Sequence, residues 1–177
     1  MAALDLRYVV HRMTLADVPA VATVDRISFS VPSAAAELVP SPEQRFCEEL
    51  KRSWSHGWVV RDEGEKAIAF LLAWVVADEM QILTLATHPA VRRRGIAGSL
   101  VAVAITFAMS SQLSQVLLEV RSSNHAAIQL YRAAGFFARS VRRRYYPDDE
   151  DAVEMVALLD PRTGQLLSRP DEVGADA

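Results

Sequence analysis

A strand-length apolar run from Met80 to Thr87 leads through Arg92-Arg93-Arg94-Gly95-Ile96-Ala97-Gly98-Ser99-Leu100 into an apolar helix, about Gly95 to Met109. The chain then returns as a second apolar run, Val116 to Arg121. Strand, helix, strand in that order implies a parallel crossover with the helix buried against a sheet. The entry to that helix is wrong as helix design. A helix start presents free backbone N–H groups and the positive end of the macrodipole, so each cation there is disfavoured by roughly 0.3–1 kcal/mol. From Ala90 to Gly98 no Ser, Thr, Asp or Asn offers a capping oxygen, and each glycine in the first turns costs about 0.5–1 kcal/mol. A phosphate bound from outside the chain would accept the N–H bonds, pair with arginine and need glycine for close approach of the backbone. The turn also follows a strand and opens a crossover helix, where open α/β sheets bind phosphates. Neither the three-glycine dinucleotide pattern nor the Gly-Lys-Ser/Thr pattern is present. A basic surface turn, with small residues for tight packing, stays open as the other reading.

Upstream, Gly57 to Arg61, Ala67 to Val76 and Met80 to Thr87 are rich in Val, Ile, Leu and Trp, with Glu63-Gly64-Glu65 and Asp78-Glu79 between them. They read as an antiparallel meander. Before it, Arg7 to Arg12 reads as a short strand. Thr14 with Asp17 then starts a helix whose stripe is Leu15, Val18, Val21, Ala22 and Ile27. A loop spans Phe29 to Pro40, and Ser41-Pro42-Glu43-Gln44 opens a second helix to about Lys51. Downstream, Asn124 begins a helix that Gly135 ends, and Phe137 to Tyr145 with Ala152 to Leu159 form a hairpin over Pro147 to Asp151. The fold expected is α/β (α+β), a mixed central sheet of about six to seven strands with about four flanking helices.

The 177 residues, 51% of them hydrophobic, suffice for one domain, 1–160. Residues 161–177 read as a flexible C-terminal tail, because Arg162 to Ala177 is short of large apolar residues and holds three acids. A formal net charge of −3 gives no general drive toward nucleic acid, and Arg142 to Arg144, alternating across a strand, make no continuous basic stripe. The lone Cys47 rules out an internal disulfide. Met1 to His11 carries acid and base in place of an apolar signal core, and the longest apolar run, Ala67 to Ala77, falls short of the roughly 18 residues of a membrane span. A cytoplasmic location with no membrane partner is expected. His11, His56, His88 and His125 lack ligand spacing, so no metal is expected.

Glu119 lies within the apolar strand Val116-Leu117-Leu118-Glu119-Val120-Arg121. Two readings are open. It forms an ion pair with Arg121 on the same face, or it is a base whose apolar neighbours make the carboxylate a better proton acceptor. Tyr131 shares a helix face with Ala127, Ile128 and Ala134, and reads as a core tyrosine or as an acid. Asn124 reads as a helix N-cap.

In order, Arg92 to Gly98, Glu119, Asn124, Tyr131 and Ala133-Ala134-Gly135-Phe136 resemble the GNAT N-acetyltransferase superfamily, over Arg12 to about Leu159. Leu118-Glu119-Val120-Arg121-Ser122-Ser123-Asn124, Ile128-Gln129-Leu130-Tyr131 with Gly135-Phe136, and Arg142-Arg143-Arg144-Tyr145-Tyr146-Pro147 are similar to RimI-type ribosomal-protein-alanine N-acetyltransferases. Those enzymes acetylate the N-terminal alanine of a small-subunit ribosomal protein. The resemblance implies that Arg92, Arg93, Arg94, Gly95, Ile96, Ala97 and Gly98 hold the pyrophosphate of acetyl-CoA. It implies that Leu85, Ala86 and Thr87 pair through their backbones with the pantetheine arm, and that Asn124 touches the same co-substrate. The family often has glycine where Ala97 stands, and usually a tryptophan in the segment that here reads Val31-Pro32-Ser33-Ala34-Ala35-Ala36-Glu37-Leu38.

The chemistry expected is direct transfer. Glu119, directly or through water, deprotonates the amine, Tyr131 protonates the departing thiolate, and a backbone N–H near Ala86 or Thr87 polarises the thioester oxygen. Cys47 lies in no motif and reads as a packed thiol. An α-amine titrates near 7.7–8.0 and a lysine near 10.4, a difference of roughly 3.4 kcal/mol in deprotonation work that favours N-terminal acceptors. The implied partner is a protein or peptide N-terminus, a ribosomal protein included. The alternatives are a small amine or lysine acceptor, or a non-catalytic acyl-CoA-binding module, against which the retention of Glu119 and Tyr131 argues. Asp148, Asp149, Glu150 and Asp151 either attract a basic peptide or balance Arg142 to Arg144. At most one of Tyr145 and Tyr146, on opposite faces of a continuing strand, would line the acceptor site.

Overall fold

Thr14 and Asp17 open the first helix as their spacing requires. The Thr14 N–H and hydroxyl donate to the Asp17 carboxylate at 2.8 and 2.9 Å, and the same carboxylate takes the Arg61 guanidinium at 2.9 and 3.1 Å. The computed structural model describes residues 8–29, 40–160 and 162–174. Arg7 and nearly all of the expected loop from Phe29 to Pro40, with its segment 31–38, lie outside the described residues.

A 3-10 turn, Leu15–Asp17, precedes α1 (Val18–Ser28). Val18, Val21 and Ala22 are buried as expected, but Leu15 is 62% and Ile27 47% exposed. Leu15 belongs to the tighter three-residue turn, which rotates it off the helix stripe. The buried face runs through Val18, Val21, Ala22 and Asp25, and Ile27 falls beside it at 3.6 residues per turn. α2 (Pro42–Lys51) starts on a reciprocal cap. The Gln44 N–H donates to the Ser41 hydroxyl at 3.2 Å and the Ser41 N–H to the Gln44 side chain at 3.0 Å.

The chain divides into two compact units, 1–74 with 84–100 and 75–83 with 101–177. In the first, β1 (Val10–Arg12), β2 (Ser55–Arg61), β3 (Ala67–Val76) and the end of β4 (Glu79–Thr87) follow one another in the sheet, as the meander predicts. The β2–β3 register pairs Val59 with Phe70. Phe46 of α2 meets Phe70 edge to face at 5.1 Å, both fully buried. The Trp74 indole N–H donates to the buried Glu49 carboxylate at 2.6 Å, which keeps that charge satisfied.

In the second unit the start of β4 pairs in parallel with β5 (Gln115–Arg121), from Glu79↔Gln115 to Ile82↔Leu118. This is the crossover the glycine turn predicts, and its helix is α3 (Ile96–Ser110). Among the described residues, the sheet is mostly antiparallel with this one parallel pair. β7 (Ala152–Leu159) lies antiparallel between β5 and β6 (Phe137–Arg142). α4 spans His125–Ala133. The expected run of β6 to Tyr145 stops at Arg142. Arg144 takes a left-handed φ of 50°, and the Asp151 carboxylate accepts from the Arg144 N–H at 2.8 Å and the Arg143 guanidinium at 2.7 Å, curling the chain out of the ladder.

The segment read as a tail carries an eighth strand, β8 (Leu166–Leu167), on β7. Asp171 beyond it accepts from the Arg132 guanidinium at 3.0 and 2.6 Å and from the Ala138 N–H at 2.7 Å. Composition missed this because two leucines, one of them packed at Gly135, a short backbone pairing and one carboxylate suffice to hold the segment. Among the described residues, no helix is long and apolar enough to cross a membrane.

Gly135 ends α4 with φ 95°, and a Cβ built there would stand 2.1 Å from Leu166 Cδ2. Gly135→Ala is expected to cost about 1–3 kcal/mol, which lowers Tm by about 2–4 °C per kcal/mol in a chain of this size. Calorimetry of Gly135→Ala alone and combined with Leu166→Ala separates the clash, which the second change relieves, from the left-handed strain, which it does not.

Candidate functional site

The turn that opens α3 is built by local geometry in the first unit. His88 caps a 3-10 turn, Pro89–Val91, with Nδ1 accepting from the Ala90 N–H at 3.2 Å. Arg92 is extended and donates Nε to the Thr87 carbonyl at 3.2 Å. Arg93 and Gly95 are left-handed, with φ 63° and 83°. Arg92, Arg93, Arg94 and Gly95 are exposed, and Ile96 is buried beneath them. Ala97 and Gly98 continue in the first turn of α3, which holds no acid. A Cβ on Gly95 would meet nothing within 4 Å. Tight packing therefore does not explain this glycine. Its backbone angle does, and the space above it is open. Exposed guanidinium groups, the free N–H groups of a helix start and a first helical turn without an acid fit a polyanion such as a pyrophosphate.

Just before the turn, Ala86 is buried and Leu85 and Thr87 are half-buried. The parallel register of β4 ends at Ile82↔Leu118 while β4 itself continues to Thr87.

In the second unit, β5 alternates, with Val116, Leu118 and Val120 buried and Gln115, Leu117, Glu119 and Arg121 on the other, half-exposed face. Glu119 is 14% exposed. Its surroundings differ from the expected apolar ones. The Gln81 amide donates to Glu119 Oε2 at 3.2 Å, and the Arg142 guanidinium stands 3.4 Å from Oε1. The pairing weighed for Glu119 and Arg121 is also replaced. Arg121 bonds Asp148 at 2.9 Å and Glu150 at 2.5 Å and lies over the Tyr146 ring at 4.1 Å. Tertiary placement decides both sets of partners: Glu119 meets Gln81 on the neighbouring strand β4 and Arg142 from β6, two strands away, while Arg121 meets Asp148 and Glu150 in the loop between β6 and β7.

Tyr131 is 7% exposed on α4, with its ring 5.7 Å from Phe136. Burial, and then the neighbouring Tyr146, push its hydroxyl above the ordinary tyrosine range, so the phenol keeps its proton at neutral pH. Asn124 is the N-cap that its position predicts, with Oδ1 accepting from the Ala127 N–H at 3.2 Å.

Tyr145 and Tyr146 do not continue a strand. Their rings meet edge to face at 5.2 Å. Tyr145 is 47% exposed, whereas Tyr146 is half-buried, and burial raises its hydroxyl against the pull of Arg121, with Tyr145 and Glu119 adding to the rise. Tyr146 thus shares an electrostatic environment with both Glu119 and Tyr131, a placement that only the curl after Arg142 produces. The loop acids are largely spent within the protein. Hydrogen bonds from the Ser123 hydroxyl and N–H, and then from Arg121, hold the Glu150 carboxyl down at about 2, and Asp148 and Asp151 pair with Arg121 and Arg143. Of the two readings of these acids, internal charge balance is the one the contacts support.

The model of the Acetyltransferase (GNAT) family matches residues 24–136. The [ribosomal protein bS18]-alanine N-acetyltransferase of Escherichia coli strain K12 is 34% identical over 116 residues, covering 58% of this chain and 78% of that enzyme. The crystal structure of the ribosomal-protein-S18-alanine N-acetyltransferase from Escherichia coli superposes with a TM-score of 0.72 at 26% identity, over 93% of this chain and 96% of that one. Arabidopsis thaliana NAA60, solved in complex with acetyl-CoA, shares the fold with a TM-score of 0.71 at 19% identity, over 85% of this chain and 97% of that one.

Proposed function

The chain belongs to the GNAT acetyltransferase family and is an acetyl-CoA-dependent N-acetyltransferase, and from that premise we propose that its acceptor is the N-terminal alanine of a small-subunit ribosomal protein. The likeness to the Escherichia coli enzyme, over 78% of that enzyme's length, carries this reading. An acceptor of that kind puts the enzyme in the cytoplasm. Arg92 to Gly98 hold the pyrophosphate of acetyl-CoA, Leu85 to Thr87 offer their backbone to the pantetheine arm, and Asn124 adds a contact. Support comes from the exposed arginines, the open space over Gly95 and the continuation of β4 past its parallel register.

Acetyl-CoA supplies an activated acyl group; the acceptor arrives as an ammonium group that sheds two protons, and the departing thiolate gains one. Glu119, directly or through water, takes the first proton and so frees the lone pair that forms the N–C bond, and the second, lost as the amide forms, replaces the one Tyr131 gives up. Tyr131 gives its proton to the sulfur as the C–S bond breaks, and a backbone N–H near Ala86 or Thr87 steadies the carbonyl oxygen. The Glu119 carboxylate, oriented by the Gln81 amide that donates to it, and the neutral, buried phenol of Tyr131 suit these roles.

The test is incubation with labelled acetyl-CoA and a panel of N-terminal peptides, with small amines and a lysine peptide in competition. Alanine-starting ends from ribosomal proteins should be blocked first. Labelling of small amines or lysine instead would refute the acceptor, and cofactor binding without consumption would refute the enzyme. Arg92 is engaged with Thr87, so Arg93→Gln and Arg94→Gln should each raise KM for acetyl-CoA by about tenfold, the scale of one charge-assisted hydrogen bond, with kcat at saturation near that of the parent. Initial rates against acetyl-CoA concentration check this.

A further inference from the structure

Glu119 on β5 and Glu154 on β7 stand directly opposite in the antiparallel register, and like charges so placed repel. Arg142, the last residue of β6, reaches both. Its Nη2 is 2.7 Å from Glu154 Oε2 and its Nη1 3.4 Å from Glu119 Oε1. The sharing is unequal for a structural reason. Glu154 is 9% exposed and also accepts from Arg139 at 2.7 Å and Ser140 at 3.3 Å. Burial works against its ionisation, yet the two guanidinium groups outweigh burial and keep its carboxyl below the usual range. The other groups around Glu119 are the Gln81 amide on β4, which carries no charge, the Tyr146 hydroxyl, and Arg121 on its own strand, already engaged by Asp148 and Glu150.

We infer that Arg142 is a positioning residue shared between the base and a buried competitor. By taking the shorter contact, Glu154 limits how firmly the guanidinium holds the Glu119 carboxylate, so that the buried acid and the base compete for one cation. The inference rests on Glu119 being the base only for its consequence in turnover. The charge coupling itself is a property of these three side chains. It requires that opposite changes follow from removing the two partners. Without Arg142, Glu119 faces the Glu154 carboxylate with no cation beside it and takes up a proton at higher pH. Without the charge of Glu154, the guanidinium turns wholly to Glu119 and the proton is taken up at lower pH.

The experiment is a 13C titration of the Glu119 carboxyl carbon in the full chain, assigned by its loss in Glu119→Gln. The midpoint should rise by about one pH unit in Arg142→Gln, the low end of the effect of a neighbouring cation, stay near that of the parent in Arg142→Lys, and fall in Glu154→Gln. A packing role alone would move activity without moving the midpoints apart. An unchanged midpoint in Arg142→Gln, or shifts of the same sign in Arg142→Gln and Glu154→Gln, would overturn the inference. If Glu154→Gln does not fold, Arg142→Gln decides alone, since Arg142 is half-exposed and Glu154 keeps Arg139. Turnover of Glu119→Gln is read separately, so failure of the base assignment and failure of the charge coupling are told apart.

Discussion

Glu119→Gln is expected to lower kcat at neutral pH by about 10²–10⁴, the usual contribution of a positioned base, with KM for acetyl-CoA nearly unchanged. Glutamine keeps the shape of the side chain and can still bond Gln81, so the loss is one of proton acceptance. The pH dependence carries the sign. An α-amine titrates near 7.7–8.0, so below that range the amine arrives protonated and needs the base, whereas above it free amine is plentiful. The deficit should be largest below pH 7 and shrink as pH passes 8. Steady-state rates on an alanine-starting peptide from pH 6 to 9 measure it. Near-parent turnover at pH 7 would remove Glu119 from the mechanism, and a deficit independent of pH would mean that the carboxylate orients substrate and does not take its proton.

Tyr131→Phe should cost about 10² in kcat by withholding a proton from the departing thiolate. Phenylalanine retains the buried ring and its contact with Phe136, so thermal stability should stay within about 1 kcal/mol of the parent. Burial and Tyr146 both favour the protonated phenol, so the parent should show no decline in kcat from loss of this proton anywhere up to pH 10. Thiol release followed with a chromogenic reagent, beside melting curves, checks both points. Full activity in the phenylalanine variant would move the acid elsewhere, and Tyr146 would be the first place to look.

Local chemistry makes most of the elements legible in the sequence. Thr14 with Asp17, Ser41 with Gln44, and Asn124 with Ala127 are caps that depend on neighbours three residues away. The meander and the crossover follow from alternating and continuous apolar runs bounded by turn residues. Glycine at positions 95 and 135 marks backbone angles that other residues adopt at a cost. The 3-10 turn at Leu15, the early end of β6 and the strand β8 were not legible, because each depends on a hydrogen bond whose partner is distant in sequence or on the choice between two similar turns.

The sequence by itself determined the order of elements and the arginine–glycine turn, since spacing along the chain is all those inferences need, and its resemblance to the GNAT superfamily singled out Glu119, Asn124 and Tyr131. Only the tertiary structure decided what those side chains meet. Glu119 faces Gln81 and Arg142, not Arg121; Tyr146, and not Tyr145, turns inward; and the acidic loop answers Arg121 and Arg143. Charge pairing follows distance in space, and strand register, which brings residues tens of positions apart to within a few ångströms, is fixed by the packed sheet and not by any one segment.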